Sequence, residues 1–507
     1  MPRYAAIDIG SNSIRMEAAE IAPGSPPQVL AAAREVTRLG ESVFRTGRLS
    51  EDAIQLACSV LARMTEQYRS LNVAAARAVA TASVRDARNQ SEFLARASAA
   101  AGIPVEPISG QEEARLIHLG VLSRWPEVGR SVLMVDIGGG SAEIISSRDA
   151  HIRDAISKPL GAIRLRELFL RHDPPTDREL ERLREHIAER LDPARRRFGR
   201  GPWQRTVATS ATASAVICAV GGIPRARREE ADRRRASTVQ IRKLLRKLSE
   251  MDIDRRRKVT GIGPRRAEII IPGLCVLLSV LELFRVPLVY YSAAGVRDGV
   301  IADLAARGVG REAARLNTDE RRELERMTVR YGVAREHVRK VAAFAASLFH
   351  ELEPLHKLAA PYGRLLEASG YLHDVGHFIS DASHHKHSYY VVANSDMPGF
   401  TARERELIAN LCRYHRKALP SADHPNLKAL SPEDRDALGR LIPLLRLADA
   451  LDRSHAQRVT KMECTLRDGE VALDLDHSGD VGLEKWAVEM VSPLFEEVYS
   501  HRIAFRG

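Results

Sequence analysis

VLMVDIGGGSAEII, residues 132–145, decides how this chain is read. Residues 132–135 form an apolar, β-prone run that Asp136 ends. Gly138, Gly139 and Gly140 follow, where bare backbone turns sharply and approaches a ligand closely. Ser141 adds a hydroxyl, and Glu143 begins the next apolar run. The pattern predicts a strand, a glycine loop and a second strand. Backbone N–H groups unobstructed by side chains suit phosphate oxygens. The flanking acids suit a hard cation such as Mg2+, which takes oxygen ligands. The plainer alternative is a glycine-rich hairpin turn.

YAAIDIGSNSI, residues 4–14, repeats the pattern: a short apolar run, Asp8, Gly10, then Ser11, Asn12 and Ser13. Two strand–Asp–Gly–Ser hairpins, one near the start of each half of the N-terminal region, point to an internal duplication. Two domains built on them can face each other and grip a phosphate chain from both sides, in the kind of interdomain cleft that ligands favour.

The chain has 507 residues, enough for three or four domains, and is 44% hydrophobic and 28% charged. A soluble globular protein with ample core is expected. No apolar run reaches the roughly 18 residues of a membrane span. The opening MPRYAAIDIG runs into a strand with no secretory apolar region. Five scattered cysteines suit a reducing cytoplasm and argue against a thiolate zinc site. A net charge of +11 favours a polyanionic partner.

Between the hairpins, residues 23–27 read as a turn. Residues 50–68 read as an amphipathic helix, with Ser50 as N-cap and Glu51 and Asp52 in its first turn. Residues 72–81 read as a strand. In the following TASVRDARN, Arg85 and Arg88 lie three apart, on one face of a helix that starts near Thr81. Residues 105–121 read as a strand, a Ser-Gly turn and a helix opening on Glu112 and Glu113. The helix dipole alone favours acids there. The functional alternative is a carboxylate aimed at the cleft as a general base for water.

DIGSNSI, TASVRDARN, ISGQEEARLIHLGV and DIGGGSAE stand in the order and spacing of the exopolyphosphatase and guanosine pentaphosphate phosphohydrolase family, which the chain resembles. TVATSATA, residues 206–213, resembles that family's second-domain loop, with Ala208 and Ala211 where its glycines stand, and residues 267–299 resemble the last helix and loop of that domain. The resemblance implies an α/β N-terminal half of two actin-like (ribonuclease H-like) domains, residues 1–124 and 125–308. Residues 315–455 are expected to form a mostly α-helical domain and 456–507 a small α+β piece, in which residues 461–476 read as a hairpin turning at Asp468–Gly469 before a short helix.

The implied roles follow the motifs. Backbone around Gly10, Ser11, Asn12, Ser13, Gly138, Gly139, Gly140 and Ser141 would hold terminal phosphates. Asp8, Asp136 and Glu143 would hold Mg2+. Arg85 would offset phosphate charge. Glu113, the second glutamate of its pair, would orient and deprotonate the water.

The helical C-terminal region carries one histidine after another. His337, His373, Asp374, His387, His415 and Asp449 resemble, in order, the ligands of HD-type metal phosphohydrolases, which implies a second divalent metal there. Basic runs crowd residues 195–266, including Arg195 to Arg197, Arg225, Arg227, Arg228, Arg233 to Arg235 and Arg255 to Lys258. Singly each reads as a solvated face. Together they would attract inorganic polyphosphate. The leading reading is therefore a processive, Mg2+-dependent exopolyphosphatase, with hydrolysis of guanosine pentaphosphate to the tetraphosphate as the alternative. A kinase of the same superfamily would need acceptor and adenosine sites, for which no motif stands out. A non-catalytic alarmone-binding regulator would not need Glu113. The family resemblance also implies a homodimer. No nucleic-acid motif stands out.

Overall fold

The computed structural model describes residues 1–22, 27–41, 43–199, 201, 203–308, 310–421, 423–428 and 430–505. The turn expected at 23–27 falls almost entirely outside them. The chain forms two compact units, Met1–Ala305 and Ala306–Gly507.

The first unit contains two sheets of one plan. In the first, β1 (Arg3–Ile9), β2 (Ile14–Glu20) and β3 (Gln28–Glu35) form an antiparallel meander, and β4 (Ala75–Ala80) and β5 (Val105–Pro107) join β1's other edge in parallel, giving the order β3-β2-β1-β4-β5. In the second, β6 (Ser131–Ile137), β7 (Ala142–Arg148) and β8 (His151–Lys158) repeat the meander. There β9 (Arg205–Thr209) and β11 (Leu288–Tyr291) take the parallel places, and β10 (Arg235–Ser237) adds an antiparallel edge. The duplication inferred from two short motifs therefore extends to the whole topology, and each half has the actin-like arrangement.

Strand periodicity assigns the two faces. Along β1, Ala5, Ile7 and Ile9 pack with the helix Glu51–Arg69, whose N-cap Ser50 accepts a hydrogen bond from the Ala53 amide at 3.3 Å. Tyr4 and Ala6 face the other way, toward Leu116, Val300 and Ile301. Along β6, Val132 and Met134 meet Ala114, Ile117 and Val121, while Leu133 and Val135 join the core beneath the apolar helix Ile270–Leu283.

One helix, Gly110–Arg124, therefore packs against both sheets. Its apolar residues are not confined to one stripe, as a helix buried on several sides requires. It crosses the helix Val296–Arg307 backbone against backbone. A Cβ on Gly299 would lie 1.8 Å from the Leu116 carbonyl oxygen, and one on Gly120 would lie 2.3 Å from that of Gly295. The Val296–Arg307 helix thus returns to the first sheet's core, although its sequence follows the second sheet.

The second unit is mostly helical. Its helices Arg335–Glu351, Pro361–Leu372, His384–Ala393, Ala402–Tyr414 and Pro432–Ala450 share one core with a three-stranded sheet, β12 (Val459–Arg467), β13 (Glu470–His477) and β14 (Arg502–Phe505). The hairpin turns as read, with Gly469 at φ +69°. Its following helix, Gly482–Tyr499, is longer than expected and packs into the same core. Residues beyond 455 therefore do not form a core of their own. Among the described residues no helix is long and apolar enough to cross a membrane.

Gly299→Ala is expected to destabilise the protein by about 3 kcal/mol, because backbone rather than a mobile side chain blocks the added methyl. Urea unfolding followed by circular dichroism measures it.

Candidate active site

The two hairpin loops are built alike. Gly10 N–H donates to the Ser13 carbonyl at 3.2 Å, and Gly138 N–H to that of Ser141 at 3.0 Å. Those two amides are consumed inside their own turns and are not offered to a ligand. The N–H groups of Ser11, Asn12, Gly139 and Gly140 have no protein acceptor among the described residues. The loops also touch. A Cβ on Gly140 would come within 2.7 Å of Ala82 Cβ and 3.0 Å of Ser11 Oγ. Bare backbone at Gly140 is what lets the two turns approach.

Around them opens a cleft of about 770 Å³, lined by Asp8, Glu113 and Asp136 and by the arginines Arg15, Arg34, Arg225, Arg228, Arg265, Arg266 and Arg297. Asp8 and Asp136 occupy equivalent places at the ends of β1 and β6. Each has a partner directly across its hairpin, Arg15 for Asp8 and Glu143 for Asp136. The two halves thus differ in charge at the matching position.

Burial raises the Asp8 carboxyl above its ordinary range, against the pull of Arg15 and Arg297. Burial likewise raises Asp136, whose Oδ2 accepts from the Thr209 hydroxyl. Glu143 is fully buried behind the open cleft and is pushed well above the carboxylate range, by burial first and then by the charges of Glu113 and Asp136. Its Oε1 accepts from Ser157 Oγ at 2.7 Å, and its Oε2 has no partner among the described residues.

Ser109 caps the Gly110–Arg124 helix by accepting from the Glu112 amide at 3.2 Å, which fixes the directions of the two glutamates. Glu112 turns into the protein. It accepts from Arg77 at 3.3 Å and from Arg115 at 2.8 and 2.9 Å, and Asp303 joins the same two arginines. Burial opposes its charge, but Arg115 and Arg77 outweigh burial and hold it below its ordinary range. Glu113 turns to the cleft, where burial pushes it up to about 7, against the opposing pull of Arg85. Arg85 reaches it at 3.4 Å and is anchored on the Ile108 carbonyl at 2.7 Å. The helix holding Arg85 is a single turn, Ala82–Arg85, so exposed Arg88 does not share a helix face with it as expected.

The stretch after β9 is not a loop but the start of the helix Ser210–Gly221, and it reaches the cleft despite its alanines. Ser210 and Ala211 line it, with Ser210 at φ +79° and its hydroxyl donating to the Ile137 carbonyl at 2.9 Å. A non-glycine residue in the left-handed region is uncommon and carries a conformational cost. The basic runs do not form one track. Arg195 and Arg196 pair with Asp192, Arg227 with Glu230, and Arg255 with Asp252. Arg233 donates to the Arg124 carbonyl at 2.8 Å. Of those runs, Arg225 and Arg228 line the cleft, beside Arg265 and Arg266. Sequence reading missed Arg15, Arg34 and Arg297. For Arg15 a signal existed, since it stands as far from Gly10 as Glu143 stands from Gly138.

In the second unit, His337, His373, Asp374 and Asp449 lie together. His337 Nε2 lies 3.3 Å from His373 Nε2 and 3.5 Å from Asp449 Oδ1. His415 also reaches Asp374, at 3.7 Å. His387 does not join them. His384 does, at 3.4 Å from Asp374 Oδ1, because the helix His384–Ala393 begins with its first residue buried and leaves His387 partly exposed.

The two adjacent glutamates predict opposite stability effects in metal-free buffer. Glu112→Gln is expected to cost about 3 kcal/mol, since it leaves buried arginines undercompensated. The folded-state pKa of Glu113 lies above its unfolded value, so its ionisation works against folding as pH rises from about 4.5 to about 7. Glu113→Gln is therefore expected to stabilise the protein at pH 8 by on the order of 2–3 kcal/mol, and not at pH 4. Denaturant midpoints at both pH values measure this.

Comparison with known proteins agrees with this architecture. The model of the Ppx/GppA phosphatase family matches residues 18–307, and that of Ppx/GppA phosphatase, domain III, matches residues 320–488. The chain is 28% identical over 480 residues to a guanosine-5'-triphosphate,3'-diphosphate pyrophosphatase of Vibrio parahaemolyticus, covering 94% of this chain and 92% of the relative. It is 28% identical over 450 residues to the protein of the same name in Vibrio vulnificus, covering 88% and 86%. A solved structure of an Aquifex aeolicus PPX-GPPA enzyme superposes with a TM-score of 0.53 at 30% identity, covering 60% of this chain and 99% of that one. The chain belongs to the Ppx/GppA phosphatase family and is a hydrolase.

Proposed function

We propose that the protein removes the 5′-terminal phosphate of guanosine pentaphosphate by attack of water on the outer phosphoanhydride. The observation that carries the chemistry is Glu113, raised to about 7, facing a cleft where two Gly–Ser turns present unused N–H groups. The Ser11, Asn12, Gly139 and Gly140 amides hold the terminal phosphate oxygens. Arg85 keeps Glu113 oriented. Glu113 accepts the proton of the attacking water, the new P–O bond forms, and the bridging oxygen leaves with the shortened nucleotide. A base poised near neutrality suits this task.

Mg2+ fits the donor set: half-buried Asp8 and Asp136 line the cleft with hard oxygens, and the unpartnered Glu143 Oε2 lies in the same carboxylate cluster. When bound, it neutralises phosphate charge.

Two observations favour a nucleotide over a long polymer, reversing the order that the sequence suggested. Both Vibrio relatives carry the pyrophosphatase name. The cleft has the size of a small-molecule site, and most of the basic residues that would track a polymer are paired elsewhere. The second sheet's side of the cleft offers Arg225, Arg228, Arg265 and Arg266 to a 3′-diphosphate, and Glu229 beside them can accept from guanine N–H groups. The seven arginines lining the cleft keep inorganic polyphosphate as the second reading.

Phosphate release is to be measured with guanosine pentaphosphate and with long-chain polyphosphate. A higher kcat/KM is expected for the nucleotide, and a clear preference for the polymer would reverse the assignment. Below about pH 7 the rate should rise tenfold per pH unit, as Glu113 loses its proton, and level off above. Glu113→Gln should bind the nucleotide normally and lose roughly 10³-fold in turnover. A folded Glu113→Gln enzyme with full turnover would sink the mechanism, and a wild-type protein that binds the nucleotide tightly but releases no phosphate would instead be a regulator.

A further inference from the structure

The geometry points to Arg164 as a positioning residue that couples the approach of the first unit's two halves to the phosphate-holding face of the second glycine loop. The inference rests on the reading of the loop amides as holders of the terminal phosphate.

Three successive carbonyls of that loop are held by one short stretch of chain. The Gly138 carbonyl accepts from the Ala162 amide at 3.0 Å, and the Gly139 carbonyl from the Ile163 and Arg164 amides at 2.9 and 3.1 Å. Those amides open the helix Ala162–Phe169, where a helix leaves its N–H groups without partners of its own. The Gly140 carbonyl accepts from Arg164 Nε at 2.7 Å. Gly161 makes the approach possible, since a Cβ there would lie 2.3 Å from the Gly139 carbonyl oxygen. In a trans peptide the C=O of one residue and the N–H of the next point in opposite directions. Holding the carbonyls of Gly138, Gly139 and Gly140 therefore turns the N–H groups of Gly139, Gly140 and Ser141 away from the helix. None of the three has a backbone acceptor among the described residues. The first two are set by backbone alone. The third, on Ser141, depends on the Arg164 side chain.

That side chain is fixed from the opposite half. Arg164 follows the second sheet's meander, yet its Nη2 donates to the Asp86 carboxylate and its guanidinium lies 3.9 Å from the centre of the Phe44 ring. Asp86 ends the single-turn helix Ala82–Arg85, and Phe44 belongs to the short helix Val43–Thr46, both in the half built on the first sheet. Phe44 also meets the loop itself, because a Cβ on Gly140 would come within 2.7 Å of its Cζ. A planar guanidinium suits this post: its donors diverge in fixed directions while its face stacks on a ring. One side chain thus serves a carbonyl of one half and an acid and a ring of the other. If the halves part, Asp86 and Phe44 withdraw and the donor to Gly140 is no longer held. The first loop is secured differently. Its Ser11 and Asn12 carbonyls accept from the Gly40 and Arg38 amides at 2.7 and 3.2 Å, through backbone of its own half. Of the two loops, the second is the one whose amides register the position of the opposite half.

The test compares full-length wild type, Arg164→Ala, Asp86→Asn and the double variant in phosphate release. The substrate is whichever of guanosine pentaphosphate and long-chain polyphosphate wild type turns over faster, so a failure of the nucleotide assignment leaves the comparison standing. Arg164→Ala should keep the wild-type circular dichroism spectrum and lose about thirtyfold in kcat, because the terminal phosphate is no longer aligned for attack. Its KM should stay within about threefold, since the seven arginines lining the cleft still hold the rest of the substrate. Asp86→Asn alone should lose about threefold to tenfold in kcat, and almost nothing further when added to Arg164→Ala, whose ion pair is already gone. Arg164→Lys, whose ammonium cannot serve Gly140 and Asp86 at their separate directions, should lose about tenfold, and it carries the comparison if Arg164→Ala does not fold. A folded Arg164→Ala enzyme with wild-type kcat overturns the positioning role. A loss carried by KM alone overturns it as well, by making Arg164 a charge partner of the substrate. Losses that simply multiply in the double variant overturn the coupling to the opposite half.

Discussion

The site in the first unit depends on one helix being packed on both sheets at once. Gly110–Arg124 gives Leu116 to one sheet and Ala114, Ile117 and Val121 to the other. It can do so because Gly120 and Gly299 let it and the Val296–Arg307 helix touch backbone to backbone. Arg124 extends the tie to Asp298 at 2.6 Å and Glu17 at 2.5 Å. Adjacent residues on a helix point about 100° apart. Locking Glu112 into the Arg77–Arg115–Asp303 network therefore aims Glu113 elsewhere, and the direction left for it is the cleft.

That placement is electrostatically costly. Glu113, Asp136 and Glu143 share a buried region, and mutual repulsion adds to desolvation in raising Glu143. Arg15 offsets part of this for Asp8 and Asp136. The duplicated hairpin has thus diverged at its most consequential position: one copy opposes its aspartate with a cation, the other with a second acid. The apolar cores on the faces of both sheets supply the stability that tolerates such a cluster. A site whose carboxylates are already desolvated is ready for charge arriving with a ligand, since interactions there are weakly screened.

The second unit applies a related constraint by another route. Its ligand-type side chains come from the ends or interiors of five helices, and their far nitrogens are tethered to backbone carbonyls or to Asp452. Little rotational freedom remains to His337, His373, His384 and His415, so their convergence belongs to the folded helices rather than to any local motif.

What the sequence by itself determined was whatever depends on neighbours along the chain. The strand–Asp–Gly–Ser hairpins, the Ser50 cap, the Asp468–Gly469 turn and the duplicated α/β plan with a helical C-terminal unit all follow from local periodicity and turn chemistry, together with the family resemblance. The choice of Glu113 as the cleft-facing acid also came from the motif, and the fold supplies its physical reason. Only the tertiary structure decided what depends on groups far apart in sequence. It replaced His387 with His384, since three residues along a helix change both direction and depth. It separated Arg88 from Arg85 by ending a helix after one turn. It paired off most of the basic runs with acids and carbonyls and brought Arg34, Arg266 and Arg297 to one cleft. Charge composition is a sum over the chain, but the field at a site is set by which charges the fold leaves uncompensated within a few ångströms.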